Sequence, residues 1–541
     1  MKFKELVKKI FIYTPPAEYI EPTPAESDRN VFYDVREHQP PPPPIAVSAD
    51  IDKNLRTVTE KFSYPANNDV VIKHFTICGD RKCFLVYYDG MTDGEAINAY
   101  IIKGLLELPY IENTPPENLA QTVCEKFIIY SQVDMTDSTD KVIEEVNFGS
   151  CGLFIDGLNH AFALDVKGWE HRSIDKPENE QSIYGPQEAF AEMLRTNTIL
   201  IRKILKTERL VAEGIKVGNV SKTRGVMLYL SDIANPTLVD EVQHRLNSIS
   251  IDFVISVEEV AQLIETPSYL GISQIMSTER PDRAARALTE GRVVFLLNGS
   301  PRALIFPTNF LELTHAASDA FLCPPYANMS RVIRFAGMFV SVFLPALYLA
   351  ITLFHQEMLP TYLLYAISAA RANVPFPSVV ELLLMDFSFE MIREAGIRMP
   401  GPIGQTLGIV GGLILGQSAV SAKIVSPMMI VIIAITGIGS FSTSDYSLSW
   451  TFRLMRIIFI LLAAAAGFFG IAIGIFAYLT YMATLSSFGI PFLAPLPGSS
   501  DNGFFGTMFV KRLWKAEKRP SYLHPEKPRR EPKISRRWFI K

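Results

Sequence analysis

The residues with the most chemical character in this chain are arranged to handle charge rather than to make or break bonds. Between Ser378 and Arg398, Asp386, Glu390, Arg393 and Glu394 share one face of a 3.6-residue wheel, and Leu382, Met385, Phe389 and Ile392 share the other. Glu394 and Arg398 add an i, i+4 pair. Such a helix either lies on a membrane surface or forms a collar around an aqueous vestibule, with Glu390, Arg393, Glu394 and Arg398 facing water or a partner. Ser378-Val-Val-Glu381 reads as a capping box, which accounts for Glu381. Downstream, Thr436-Gly-Ile-Gly-Ser440 is small and hydroxylated. It either packs tightly or lines a narrow pore, together with Ile430, Ile433, Ala434, Thr436, Gly437, Ile438 and Ser440. Asp445 follows, either ending a helix or ringing a pore mouth with negative charge.

Enzyme chemistry lacks its parts. No Gly-rich loop with a phosphate-binding Lys follows a strand, and no His pair stands at i, i+4. His160 and His171 are isolated. The expectation is a non-enzyme with no catalytic residue, no cofactor and no metal. Cys78, Cys83, Cys124, Cys151 and Cys323 have neither zinc spacing nor a disulfide framework, which favours free thiols in a reducing compartment. A net charge of -4 gives no reason to expect nucleic acid. The charge is unevenly spread, because the stretch from Lys511 onward holds twelve Lys or Arg against three Glu and leaves the rest acidic.

The elements that must position these residues change character near residue 331. Before it the chain is charged and broken by loops. After it come apolar runs too long for a soluble core. The predicted fold is an α/β N-terminal region of two subdomains followed by an α-helical multi-span membrane domain. Its predicted divisions are 1–54 (a basic, amphipathic N-terminus and Pro-rich linker), 55–190 and 191–325 (the α/β subdomains), 326–490 (membrane helices) and 491–541 (a basic tail). Lys2, Lys4, Lys8 and Lys9 are interleaved with apolar residues, and no apolar run of signal length follows. Met1–Tyr13 reads equally as a surface-seeking helix or a frayed end. Pro15, Pro16, Pro22, Pro24 and Pro40 to Pro44 favour an extended spacer.

Within the first subdomain, strands are predicted at Val70–Ile77, Cys83–Tyr88, Cys151–Ile155 and His160–Val166, with helices over Gly94–Leu108 and Asp140–Asn147. A helix over 187–206 leads to strands at Val211–Val217, Val226–Leu230, Phe253–Val257, Val293–Leu297 and Ala303–Phe306, with helices near 237–247 and 258–264. Both subdomains end in similarly worded hairpins, Gly152-Leu-Phe-Ile-Asp-Gly and Val294-Phe-Leu-Leu-Asn-Gly. That wording fits a duplication, or merely two hairpins. Four spans are expected: Val332–Phe354, Gly404–Ala422, Ile424–Phe441 and Ile457–Leu479. Gly408, Gly412 and Gly416, and later Gly470 and Gly474, form small-residue stripes for helix packing. An even count puts both ends on one side, and the basic tail makes that side cytoplasmic.

The wording resembles the A subunit of GerA-type spore germinant receptors. It is carried by Asn373-Val-Pro-Phe-Pro377, Arg393-Glu-Ala-Gly-Ile-Arg-Met-Pro400, Pro402-Ile-Gly-Gln-Thr406, Gly408-Ile-Val-Gly-Gly412 and Gly416-Gln-Ser-Ala-Val420. In the front half it is carried by Glu178-Asn-Glu-Gln-Ser182, Gly185-Pro-Gln-Glu-Ala-Phe190 and Thr278-Glu-Arg-Pro-Asp282. The resemblance covers roughly residues 60 to 490, leaving the Pro-rich extension and the basic tail outside. It implies a nutrient-receptor subunit in the inner spore membrane, multi-pass, with both termini cytoplasmic. Implied partners are further copies of this chain, a transporter-like B subunit, a lipoprotein C subunit, membrane lipid and monovalent cations. It also implies a ring with an ion-conducting pore, which raises the pore reading of 430–440 above the packing one. The alternative is a non-conducting scaffold that docks the transporter-like subunit, with the tail binding anionic lipid.

Overall fold

The computed structural model describes residues 44–77, 81–106, 120, 133–168, 176–268, 270–398, 412, 414–495 and 503–530. The Pro-rich segment up to residue 43, Cys78, Cys124, His171 and Gly408 lie outside the described residues.

The front half holds two antiparallel sheets with one topology. Helix α1 (Ile51–Lys61) precedes β1 (Val70–Ile77), β2 (Arg81–Tyr88), β3 (Val133–Thr136), α2 (Thr139–Asn147), β4 (Cys151–Ile155) and β5 (Ala161–Leu164). These strands lie in the order β1-β2-β4-β5-β3. After α3 (Leu194–Ile204) come β6 (Leu210–Val217), β7 (Thr223–Leu230), α4 (Pro236–Asn247), α5 (Val257–Ile264), β8 (Met276–Thr278), α6 (Pro281–Glu290), β9 (Val293–Leu297) and β10 (Ala303–Phe306). Their order is β6-β7-β9-β10-β8, the same path renumbered. In each unit one helix, α2 or α6, joins the outer strand to the final hairpin. Shared topology supports the duplication that the hairpin wording suggested.

The period-2 geometry of a strand explains the layers. In β2, Cys83 and Leu85 pack with Ile97, Ile101 and Leu105 from the helical stretch after Gly94, while Phe84 and Val86 pack with Val58, Phe62 and Val142 of α1 and α2. Covered on both faces, β4 and β5 are buried throughout. The second sheet is covered likewise. Phe295 and Leu297 meet α4 and α5, and Val294 and Leu296 share a core with α3, α6 and the C-terminal helices.

Two expectations for the second unit differ from the structure. The predicted strand at Phe253–Val257 is instead the lead into α5. Ser256 caps that helix, its hydroxyl accepting from Glu259 N at 3.3 Å, so the Ser-x-x-Glu signature outweighs the apolar run. The helix predicted over 187–206 is shorter, spanning Leu194–Ile204.

The C-terminal half is a bundle built on α7 (Pro324–Phe354), with α8 (Thr361–Arg371), α9 (Ser378–Arg398), a helical stretch over 414–421, α10 (Pro427–Ser440) and α11 (Tyr446–Thr484). By length and composition α7 and α11 can cross a membrane, with mean hydropathy 2.1 and 2.6. The predicted single span at 457–479 is corrected, because α11 reverses. Ala466 (φ -145°, ψ 17°) and Gly467 (φ 57°, ψ -137°) leave the helical region. Beyond them, a Cβ on Gly474 would lie 2.7 Å from atoms of both Phe459 and Leu462. A straight helix would hold residues 459 and 474 about 22 Å apart. The two arms therefore pack on each other, and Gly470 and Gly474 allow that approach.

The tail returns to the second α/β unit. Short antiparallel strands β11 (Ser486–Ser487) and β12 (Ile490–Pro491) begin the return. Lys527 then pairs with Asp232 at 2.7 Å and Arg530 with Glu290 at 2.6 Å, while Tyr522 donates to Glu312 at 2.7 Å. Several of its charges are thus engaged by this protein's own carboxylates.

Candidate functional site: a buried charge cluster between helices

Helix α9 packs on α10, and its charged side chains reach those of α11 inside the bundle. The side chain of Arg456 is 1% exposed. Its Nη2 donates to Glu390 Oε1 at 2.7 Å and lies 3.0 Å from Asp386 Oδ1, an ion pair outside hydrogen-bond alignment. Arg453 Nη1 reaches Glu390 Oε2 at 3.4 Å, and Arg393 Nη1 reaches Glu390 Oε1 at 3.2 Å. Glu390 is therefore the hub of three guanidinium groups. Arg393 also donates to Ser440 Oγ at the end of α10. Its guanidinium lies 5.0 Å from the Phe389 ring and 4.9 Å from that of Phe441, and Arg453 lies 4.3 Å from the Trp450 ring.

Helical spacing makes this meeting possible. Asp386, Glu390 and Arg393 stand four and three residues apart on α9, and Arg453 and Arg456 three apart on α11, so each set forms one stripe. Three arginines face two carboxylates. Nε of Arg393, Arg453 and Arg456, and Nη1 of Arg456, are buried without an acceptor. The cluster thus has donor capacity beyond its own acids. Chemically it can clamp helices together or hold a passing anion or water.

The predicted collar divides. Glu390 and Arg393 belong to this cluster, with the Arg393 side chain buried and that of Glu390 26% exposed. Glu394 and Arg398 form the expected i, i+4 pair on the surface, 2.8 Å apart. Glu381 also departs from its expected capping role. It is fully buried and accepts from Ser426 N, with Arg371 Nε 3.9 Å away, while Ser378 Oγ has no partner.

The residues proposed for a pore wall fall on two faces of α10. Ile433, Thr436, Gly437 and Ser440 are buried within the chain's own bundle, and Ile430 is half-buried against it. A Cβ on Gly437 would meet the Phe389 ring at 2.5 Å. Ala434 and Ile438 lie on the opposite, exposed face with Val431 and Ile435. Asp445 caps α11, accepting from Ser447 N and Leu448 N. Of the glycine stripe, Gly416 faces Ile430, and Gly412 has open space where a side chain would sit.

Arg453 and Arg456 are not named as site residues in the sequence analysis. The available signal was their spacing. A pair of basic residues opening an apolar run needs acids, and the α9 stripe supplies two.

A family model described as Bacillus/Clostridium GerA spore germination protein matches residues 56–522. The chain belongs to this GerA family. It acts in spore germination. Spore germination protein KA of Bacillus subtilis (strain 168) is 36% identical over 91% of this chain and 90% of its own length. Spore germination protein B1 of the same organism is 34% identical over 89% of this chain and 99% of its own length. GerLA of Bacillus cereus is 33% identical over 84% of this chain and 91% of its own length. The N-terminal domain of the A subunit of the Bacillus megaterium spore germinant receptor GerK3 aligns at 28% identity and a TM-score of 0.38, covering 48% of this chain and 96% of that domain. The GerA match reaches Tyr522, so the first part of the basic tail lies inside the family pattern, not outside it as the sequence reading had it.

Proposed function

We propose that this GerA-family chain is the membrane subunit of a nutrient receptor whose copies form a ring around a gated cation path. The observation that carries the reading is the two-faced character of α10. One face is packed against α7, α9 and α11, and the other presents Val431, Ala434, Ile435 and Ile438 with no cover among the described residues. Ile438 is 72% exposed. In a ring of copies this apolar face would be the pore wall, closed by dewetting. Its residues replace the buried half of the earlier pore list.

The membrane topology follows the same reading. The chain leaves the second α/β unit along α7, and the return arm of α11 brings it back, where Tyr481 Oη donates to Ser268 Oγ at 3.2 Å. Front domain and tail then share one side of the inner spore membrane, the cytoplasmic one. The transporter-like and lipoprotein subunits named by the resemblance would dock on this assembly and bring the nutrient signal.

The test is cation flux through liposomes carrying the purified chain, alone and with its partner subunits. Ile438→Ser should raise the leak, because a hydroxyl wets the constriction. No flux with any combination of subunits would leave the non-conducting scaffold as the better account.

A further inference from the structure

A second site lies outside the helix cluster. A cleft of about 650 Å³ opens between α6, the first turns of α7 and the returning tail. That volume is in the range of small-molecule sites. Eight Lys or Arg line it against four Asp or Glu. We propose that this cleft binds a phosphate-bearing anion.

The internal pairings show which charges remain for a ligand. Arg283 pairs with Glu180, Arg331 with Asp319, Arg292 with Glu312, and Arg530 with Glu290. These arginines build the walls. Among the described residues, Arg286 and Lys515 have no carboxylate within ion-pair distance. Arg286 instead lies 5.6 Å from the Phe321 ring. His315 adds no anion. Burial, followed by the charges of Arg331, Arg283, Arg334 and Arg292, holds its imidazole well below the usual value, and its Nε2 accepts from Arg331 at 3.1 Å. Arg286 and Lys515 are thus the cleft cations that the described carboxylates leave without an ion pair.

The ligand class follows from this lining. Guanidinium and ammonium groups around one volume suit phosphate oxygens. Glu312 Oε2 is buried without a donor in the same cleft and would accept from a ligand hydroxyl. Arg331 sits immediately before Val332, where the apolar run of α7 begins. The cleft is therefore level with lipid headgroups, so the anion is either a headgroup such as phosphatidylglycerol or a soluble phosphate compound.

The experiment uses the full chain in nanodiscs of phosphatidylcholine alone or with phosphatidylglycerol, titrated with pyrophosphate. Saturable thermal stabilisation by pyrophosphate in phosphatidylcholine discs identifies a soluble-phosphate site. Phosphatidylglycerol co-purifying in fixed ratio by native mass spectrometry, with no response to pyrophosphate, identifies a headgroup site. In either case, the combined Arg286→Glu and Lys515→Glu variant should lose about tenfold or more in affinity. The neutral Arg286→Gln and Lys515→Gln variant should lose less, and its unliganded melting temperature should be unchanged. The proposal is overturned if neither anion binds saturably, or if the well-folded neutral variant binds both as the parent does.

Discussion

Arg456 on one arm of α11 and Glu390 on α9 meet at 2.7 Å inside the bundle, and this pair ties two helices that are far apart in sequence. Because Glu390 also receives Arg453 and Arg393, the clamp is a network rather than a single bridge. Removing one partner of a buried pair leaves the other desolvated and uncompensated.

Arg456→Ala should therefore lower the stability of the detergent-solubilised chain by about 3–5 kcal/mol. Glu390→Gln should also destabilise, since three arginines lose their common negative charge. The combined Arg456→Ala and Glu390→Gln variant should lose less than the sum of the two single losses if the two residues are coupled. Thermal unfolding of all three variants gives the coupling directly, and additive losses would show that the contact is incidental.

Gly467 makes the reversal of α11. Its backbone lies where only glycine is comfortable, and a Cβ there would be 3.0 Å from Phe354 and His355. Gly467→Ala should cost about 1–3 kcal/mol and loosen the contact between the arms. Cysteine crosslinking between positions 459 and 474 reports this separately from melting. Efficient crosslinking in Gly467→Ala would mean that the turn is set by the surrounding helices.

His315 predicts a pH dependence. Burial and then the neighbouring arginines depress its folded pKa, so the unfolded chain takes up a proton near pH 6.5 that the folded chain refuses. Its contribution is intact above about pH 6.5 and declines as pH falls below that value. The melting temperature should drop between pH 7 and pH 5, and His315→Gln should flatten this slope.

Asp232 acts lower on the scale. Burial pushes its carboxyl up, but Lys527 and Arg209 outweigh that and hold it below its ordinary value. The resulting stability is present above about pH 3.9 and is lost as pH falls through the folded value. Both partners are about half exposed, so Asp232→Asn should cost under about 1 kcal/mol. Hydrogen exchange should nevertheless rise across residues 519–530 first. Unchanged exchange there would mean that Tyr522 and Arg530 carry the tail alone.

The sequence by itself determined most of the local elements. Val293–Leu297 and Ala303–Phe306 coincide with predicted strands because a continuous apolar run bounded by Asn298-Gly299 has few other uses. The apolar run of α7 was equally plain, since its length and hydropathy are local quantities. Tertiary structure decided three things that no window of sequence holds. A stripe of glycines in an apolar run is compatible with close packing or with a turn, and only the contacts across Gly467 make α11 a hairpin. A charged helical face signals that partners are needed without saying which, so the wheel found Asp386, Glu390 and Arg393 but not Arg453 and Arg456. The acids that engage the basic tail, Asp232, Glu290 and Glu312, lie more than two hundred residues away, so no window around the tail shows them. Local pattern encodes which surface must be buried or neutralised, and the fold alone brings the group that does it.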